Sequence, residues 1–201
     1  MTAKIKLNAA SGGGSFSLQA PSSSANNRVI TLPDITDGTL LTNQSSGLGK
    51  ILQVLQVQKT DATSQVTTGS TNFFDISGLS LSITPSNTSN KILVINTVSV
   101  SCNNGNRNTH IRLMRGSTPI GVGTGGSTVN SSFFLKTRDN FSPHNISTQI
   151  LDSPSTTSAT TYKVQWSGED SDTFYLNRNA HSSYGGNERM VSTLTLMEVA
   201  P

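Results

Sequence analysis

Charge is scarce in this sequence: only 12% of its 201 residues are charged, and the formal net charge is +3. Electrostatic binding of nucleic acid depends on clustered Lys and Arg, which are missing here, so we expect no nucleic-acid partner. Coiled coils are rich in Ala, Glu, Lys, Leu and Arg, and disordered chains tend to be highly charged. The composition therefore argues against all three classes.

Cysteine and long apolar runs are also scarce. The single Cys102 excludes a disulfide within the chain and a cysteine-based metal cluster. No stretch approaches the roughly 18 consecutive apolar residues of a membrane-spanning helix, so we expect no membrane span. The first residues lack the apolar segment of a secretory signal, which predicts synthesis in a cytoplasm without signal-directed export.

Polar uncharged residues are abundant instead. Ser, Thr and Asn together supply 75 of the 201 residues, and Gly adds 17. Thr favours strands, whereas Ser, Asn and Gly favour turns. Since no segment has a long apolar period of 3.6 residues, this composition predicts an all-β protein with almost no helix.

Residues 1–49 differ from the rest of the chain in composition and in the pattern of apolar residues. They contain the run Gly12 to Gly14, the run Ser22 to Ser24, and only short apolar clusters. Such a segment buries too little apolar surface to fold alone, so we predict an extended, largely non-regular arm that docks to a partner. The apolar residues expected to make that contact are Ile5, Leu7, Phe16, Leu18, Val29, Ile30, Leu32, Leu40 and Leu41.

From residue 50 onward, apolar residues alternate with polar ones in runs that end at turn residues, which predicts about ten strands. These strands predict an antiparallel, jelly-roll-like β-sandwich head over residues 50–201. Residues 91–102 form the strongest run, and we expect a central strand there. Asn104-Gly105 then predicts a tight turn. The remaining strands are expected at residues 50–58, 78–84, 110–114, 133–138, 145–151, 161–166, 173–178 and 190–199.

Three segments have a superficial likeness to catalytic or metal-binding motifs. The segment from Gly121 to Gly126 matches GxGxxG, but no helical pattern follows it, so we interpret it as a glycine hairpin loop. The acidic segment from Glu169 to Asp172 could be a solvated turn or a calcium site, and we favour the turn. His110, His144 and His181 have no metal-ligand spacing. The sequence therefore predicts no enzyme activity, no catalytic or metal site and no cofactor.

A ligand is more often bound by loops on a rigid sandwich than by its strands. The polar glycine loop between the last two strands contains His181, Tyr184, Asn187 and Arg189, which we take as candidate ligand-binding residues. The turn at residues 103–108 is the next candidate. By contrast, Tyr162, Val164 and Trp166 alternate along one strand, and we predict that they lie in the core.

Two parts of the chain resemble a known class of proteins. Residues 17–42 (SLQAPSSSANNRVITLPDITDGTLLT) resemble the N-terminal segment of tail-fibre and virion structural proteins of marine, especially cyanobacterial, bacteriophages. The β-rich heads of such fibres are similar to residues 74–94 (FDISGLSLSITPSNTSNKILV), 112–120 (RLMRGSTPI), 152–164 (DSPSTTSATTYKV) and 192–199 (STLTLMEV).

The resemblance implies a homotrimeric virion appendage. Residues 1–49 would dock to other virion proteins, either a tail adaptor or the capsid, and the head would face a host surface. Three heads that each bind a host glycan weakly would gain avidity. Because no shaft separates arm from head, a tail fibre, a head fibre and a capsid decoration protein all remain open, as does a carbohydrate-binding module.

Overall fold

The structure is a computed structural model that describes residues 4–8, 11–13, 15–19, 50–124, 129–137, 142–169, 171–181 and 188–201. The chain divides into two compact units, Met1–Asn43 and Gln44–Pro201. The described residues form strands and no helix, as the sequence predicts. None of them forms a helix of the length and hydrophobicity that crossing a membrane would require.

The first unit contains a β-hairpin. Strands β1 (Lys4–Asn8) and β2 (Ser15–Gln19) pair antiparallel. Gly12 and Gly13 between them have φ angles of 85° and 69°, a backbone region that favours glycine. This hairpin within the predicted arm was not expected from the sequence; the glycine run allows the chain to reverse between two short alternating segments.

The second unit contains the strands β3 (Ile51–Lys59), β4 (Thr63–Val66), β5 (Phe74–Ile83), β6 (Lys91–Cys102), β7 (Asn108–Arg115), β8 (Thr118–Ile120), β9 (Phe133–Lys136), β10 (His144–Asp152), β11 (Thr160–Gly168), β12 (Thr173–Leu176) and β13 (Ser192–Val199). Nine of these were predicted, β6 with its observed bounds and the other eight with shifted ends. The short strands β4 and β8 were not predicted.

The strands form two antiparallel sheets. Sheet 1 has the order β3-β13-β6-β10, with β12 and β4 continuing from the end of β6. Sheet 2 has the order β5-β11-β7, and both β8 and β9 pair with the far edge of β7. If β4, β8 and β12 are set aside, the other eight strands, counted along the chain, follow the order 1-8-3-6 in sheet 1 and 2-7-4-5 in sheet 2. This alternation between sheets is the connectivity of a jelly roll, which confirms the predicted fold class.

The core lies between the two sheets. Ile92, Val94 and Val98 on β6 are fully buried, and so are Leu194 and Leu196 on β13. From sheet 2, Tyr162, Val164 and Trp166 point inward and are 0–4% exposed, as predicted. Each buried aliphatic or aromatic side chain contributes about 1.5–3 kcal/mol relative to exposure, so these inward rows hold the sheets together.

A polar cluster also joins the two sheets. The Tyr162 hydroxyl on β11 donates to Asp152 Oδ2 on β10 at 2.7 Å, and Arg115 Nη1 on β7 lies 2.8 Å from both Asp152 oxygens. Burial raises the pKa of Tyr162 above its usual range, so the phenol remains a donor. The carboxylate thus accepts charge-assisted hydrogen bonds from the opposite sheet.

Two expectations about loops are corrected by the topology. The turn after β6 does form, and Asn106 within it has φ 63°. However, β7 does not return beside β6; it crosses to sheet 2. The segment that begins at Gly121 is not a hairpin loop either, because β8 and β9 pair with β7 and not with each other.

Candidate binding surfaces

The hairpin carries four of the predicted docking residues. Its register pairs Ile5 with Leu18 and Leu7 with Phe16, so all four occupy one set of alternating positions. Leu7 is 59% exposed. The other predicted docking residues, Val29, Ile30, Leu32, Leu40 and Leu41, lie outside the described residues. One side of the two-stranded hairpin therefore consists of apolar residues. This pattern is typical of a strand pair that packs against another surface.

The predicted ligand loop is described only at its two ends. His181 is half-buried and Arg189 is exposed, while Tyr184 and Asn187 lie outside the described residues. Arg178 and Arg189 form an isolated antiparallel bridge, and the Met190 amide donates to the Asn177 carbonyl at 3.1 Å. The ends of this loop are thereby held side by side between β12 and β13.

Asn177 anchors the same loop to the sandwich. It is fully buried with φ 58°, a conformation that Asn tolerates better than most residues. Its Nδ2 donates to the carbonyls of Lys59 and Asp61 at 2.7 and 3.1 Å, and its Oδ1 accepts from Ser192 Oγ at 2.6 Å. The base of the loop is therefore fastened to the sandwich at Asn177.

The turn at residues 103–108 is fastened by ion pairs. Arg107 Nη1 lies 2.9 Å from Glu169 Oε2, and Arg107 Nε lies 2.9 Å from Asp172 Oδ2. Asn104 also donates to Asp172, which is 1% exposed. The interpretation of residues 169–172 as a solvated turn was wrong for Asp172, because the carboxylate is buried against a guanidinium. The positive charge beside the carboxylates of Glu169 and Asp172 comes from Arg107. The described residues contain no group of three or more metal-ligating side chains.

The outer face of sheet 2 carries a row of charged and planar side chains, which we call the polar row: Arg112, Gln165, Asp75 and Lys163. Arg112 Nε and Nη2 donate to Gln165 Oε1 at 3.1 and 2.7 Å. Gln165 Nε2 donates to Asp75 Oδ1 at 2.6 Å, and Lys163 Nζ donates to Asp75 Oδ2 at 2.8 Å. One hydrogen-bonded network therefore crosses β7, β11 and β5.

Aromatic rings lie beside the polar row. The Arg112 guanidinium carbon is 3.7 Å from the centroid of the Phe73 ring, a stacked cation–π contact. Two residues along β7, the His110 ring lies 5.1 Å from the Phe134 ring on β9. Phe134 is 50% exposed. The face thus combines accessible aromatic surface with planar hydrogen-bonding groups.

The electrostatics of this face follow from partial burial. Burial raises the pKa of Asp75, but the hydrogen bonds from Lys163 and Gln165 outweigh it, so the pKa lies below its usual value. Burial lowers the pKa of His110, and the charge of Glu169 opposes this only weakly. At neutral pH, Asp75 is therefore charged and His110 is a neutral ring.

The outer face of sheet 1 is chemically different. The register aligns Val54 of β3, Met197 of β13, Leu93 of β6 and Leu151 of β10 in one apolar row across four strands. The next two rows contain Gln56, Thr195, Ile95 and Gln149, and then Gln58, Thr193, Thr97 and Ser147. We call these twelve positions the uncharged face.

Sequence reasoning missed both sheet faces. The alternation that placed Tyr162, Val164 and Trp166 in the core already implied that Lys163 and Gln165 point outward. What it did not contain was the register that brings Gln165 opposite Arg112 on one side and Asp75 on the other. Register is set by contacts between strands that are distant in sequence.

Comparison with known proteins adds little to this geometry. No family model and no curated protein matches the sequence. The fold is similar to a chain in the solved structure of infectious bursal disease virus, Gx strain, with a TM-score of 0.39 and 11% identity. The match covers 94% of this chain and 46% of the viral one. At this TM-score and identity the likeness carries no argument about what the chain does.

Proposed function

We propose that the chain is a non-enzymatic structural protein of a bacteriophage virion. In this proposal it is a short homotrimeric tail appendage, docked to other virion proteins through residues 1–49, whose β head attaches to the host surface. A head fibre or a capsid decoration protein is the alternative location on the same particle.

The observation that carries the proposal is the one-sided hairpin at the start of the chain. Leu7 is largely exposed and shares its side of the ribbon with Ile5, Phe16 and Leu18. A two-stranded hairpin is at best marginally stable alone in water, so its apolar side is expected to be covered. The jelly roll is compatible with this role, since viral capsid and lectin domains share that architecture, although fold alone does not determine function.

Substitutions on the two sides of the hairpin test the docking role. Phage particles assembled with Leu7→Ser are expected to carry several-fold fewer copies of the protein than wild type, because the substitution removes an apolar side chain that docking would bury. Lys6→Ser, on the opposite side of β1, is the matched control and should leave the copy number unchanged. Copies per particle can be counted by quantitative mass spectrometry of purified virions.

Normal incorporation of Leu7→Ser would contradict docking through the hairpin, and normal incorporation after deletion of residues 1–49 would contradict docking through the arm. Imaging of particles that contain the wild-type protein would separate a tail position from a head position. Sedimentation of the purified full chain tests the trimer.

A second function, binding of a host glycan by the head, is favoured by the polar row. Sugars are commonly held by an aromatic ring that covers their apolar face and by planar groups that make paired hydrogen bonds to hydroxyls. Phe134 offers the ring, and Arg112 and Asp75 offer charge-assisted hydrogen bonds. The predicted loop residues His181, Tyr184, Asn187 and Arg189 remain the alternative location of the ligand.

Two alanine variants separate these locations. If sheet 2 binds the glycan, Phe134→Ala should abolish binding on an array of host-surface glycans while Tyr184→Ala retains it. The opposite result would assign binding to the loop. If wild type binds no glycan, this second function is wrong, and the docking experiment is unaffected.

A further inference from the structure

The exposed apolar side chains of the head are distributed unevenly between its two sheets. Eight large apolar side chains are exposed in the part of the chain that the structure describes. Val54, Leu151 and Val66 lie at outward positions of sheet 1, whereas Phe134 lies at an outward position of sheet 2. Single exposed apolar residues are ordinary, but an aligned row is a mark of an interface.

The apolar row is continuous from one side of the sheet to the other. Val54 and Leu151, at its two ends, are 53% and 52% exposed, and Met197 and Leu93 between them are half-buried. Adjacent strands are about 4.8 Å apart, so the row spans roughly 14 Å. It ends at β3 and β10, each of which pairs with only one strand among the described residues.

The twelve positions of the uncharged face carry no charge, although the exposed Lys91 follows in the next row of β6, whereas the outer face of sheet 2 carries Arg112, Lys163 and Asp75. In a symmetric assembly, residues near the symmetry axis lie against the same residues of the other copies, so a charge there would face its own copy. Residues of the uncharged face can lie near such an axis without this repulsion. Depletion of charge and enrichment of apolar residues also characterise the centre of interfaces between identical subunits.

The two rows next to the apolar row are also suited to contact with a second copy of the chain. Gln side chains donate and accept hydrogen bonds, and so do Thr and Ser hydroxyls. Gln56 already donates to Thr195 at 2.8 Å within the face. A surface of this composition can hydrogen-bond to an identical surface without a complementary partner.

We propose that the uncharged face of sheet 1 is the surface through which copies of this chain associate, with the row Val54–Met197–Leu93–Leu151 at the centre of the contact. The proposal rests on the homotrimer of the proposed function and identifies the surface that forms it. Sheet 2 would then remain exposed on the assembly.

The experiment measures the oligomeric state of the full chain by sedimentation velocity over a range of concentrations. Wild type is expected to sediment as a trimer. The double variant Val54→Lys/Leu151→Lys is expected to sediment as a monomer, because each copy would bring two like charges into the contact. The matched control, Ser80→Lys/Thr161→Lys, adds the same charges to exposed positions of sheet 2 and should remain a trimer.

A milder pair of variants covers the case in which two lysines impair folding. Val54→Thr and Leu151→Thr keep residues that favour strands, and each should weaken association roughly tenfold. Val54→Thr also distinguishes a face contact from edge-to-edge pairing through β10, since β3 lies at the opposite edge of the sheet from β10. Loss of affinity for Leu151→Thr alone would favour pairing at the edge and overturn the proposal.

The remaining outcomes separate this inference from the proposed function. If wild type and Val54→Lys/Leu151→Lys are both trimers, the uncharged face is not the interface, and the trimer itself stands. If wild type is a monomer at every concentration, both the interface and the trimer are wrong. Docking to the virion would still be decided independently by Leu7→Ser.

Discussion

Sheet 1 and sheet 2 have outer faces of different chemistry, although both consist of strands in which every second residue points inward. On sheet 2, Arg112, Gln165 and Asp75 form a network that includes two charges and a stacked ring. On sheet 1, the corresponding rows are apolar or neutral. The difference is the basis of the two proposals above, a polar ligand at sheet 2 and a second copy of the chain at sheet 1.

The largest expected difference between the faces is in how much their hydrogen bonds contribute to the free energy of unfolding. Arg112→Ala removes two charge-assisted hydrogen bonds and the contact with Phe73, and should lower the free energy of unfolding by about 2 kcal/mol. Gln56→Ala, which removes the hydrogen bond to Thr195 on sheet 1, should cost only about 0.5 kcal/mol. Denaturant unfolding under monomeric conditions measures both, and equal losses would contradict the contrast.

The pH dependence of stability should distinguish the faces by a smaller amount. Although burial raises the pKa of Asp75, the hydrogen bonds from Lys163 and Gln165 hold it below the ordinary value of 3.8, so ionised Asp75 stabilises the fold above that pH. The stability that wild type has over Asp75→Asn should therefore be present at neutral pH and disappear as the pH falls through the folded pKa.

The magnitude at neutral pH should be about 0.5 kcal/mol, since the pair with Lys163 is partly exposed. The stability difference between wild type and Gln56→Ala contains no titrating group and should be independent of pH. A wild-type advantage over Asp75→Asn that does not decrease as the pH is lowered would show that the carboxylate charge is not its source.

The smallest expected effect is local to His110. Burial holds its pKa below the ordinary value of 6.5, so the neutral imidazole stabilises the fold above that pH, and this contribution is lost as the pH falls through the folded pKa. Phe134→Ala should expose the ring and raise its pKa towards 6.5. An NMR titration of the imidazole measures this, and Val66→Ala on sheet 1 is the control. An unchanged pKa in Phe134→Ala would show that Phe134 does not bury the ring.

Much of the fold was predictable because apolar and polar residues alternate locally along most of the strands. The strongest run, residues 91–102, coincides with β6, and the inward positions of β11 were identified as core. The hairpin at residues 4–19 was not predicted, since five-residue strands on either side of a glycine run resemble irregular chain. The pairing of β7 with β11 across the sandwich was also missed, because a local turn signal does not specify which sheet receives the next strand.

The candidate surfaces were predictable only in part. Outward residues follow from strand parity, so Arg112 and Lys163 could be placed outside. The neighbours of Asp172 could not be foreseen, because Arg107 and Asn104 are more than sixty residues away in sequence. Glu198 is a similar case: an apparently exposed carboxylate near the end of the chain is buried and accepts hydrogen bonds from Gln53, Ser86 and Asn90.

The sequence by itself determined that this is an all-β chain with an outward half rich in Ser, Thr and Asn. Alternation with a period of two is a local property that survives in any arrangement of the strands. The tertiary structure decided which outward residues became neighbours, and so made one face uncharged and the other a charged, aromatic surface. Those neighbourhoods depend on strand order and register, which arise only when segments distant in the chain are packed around one core.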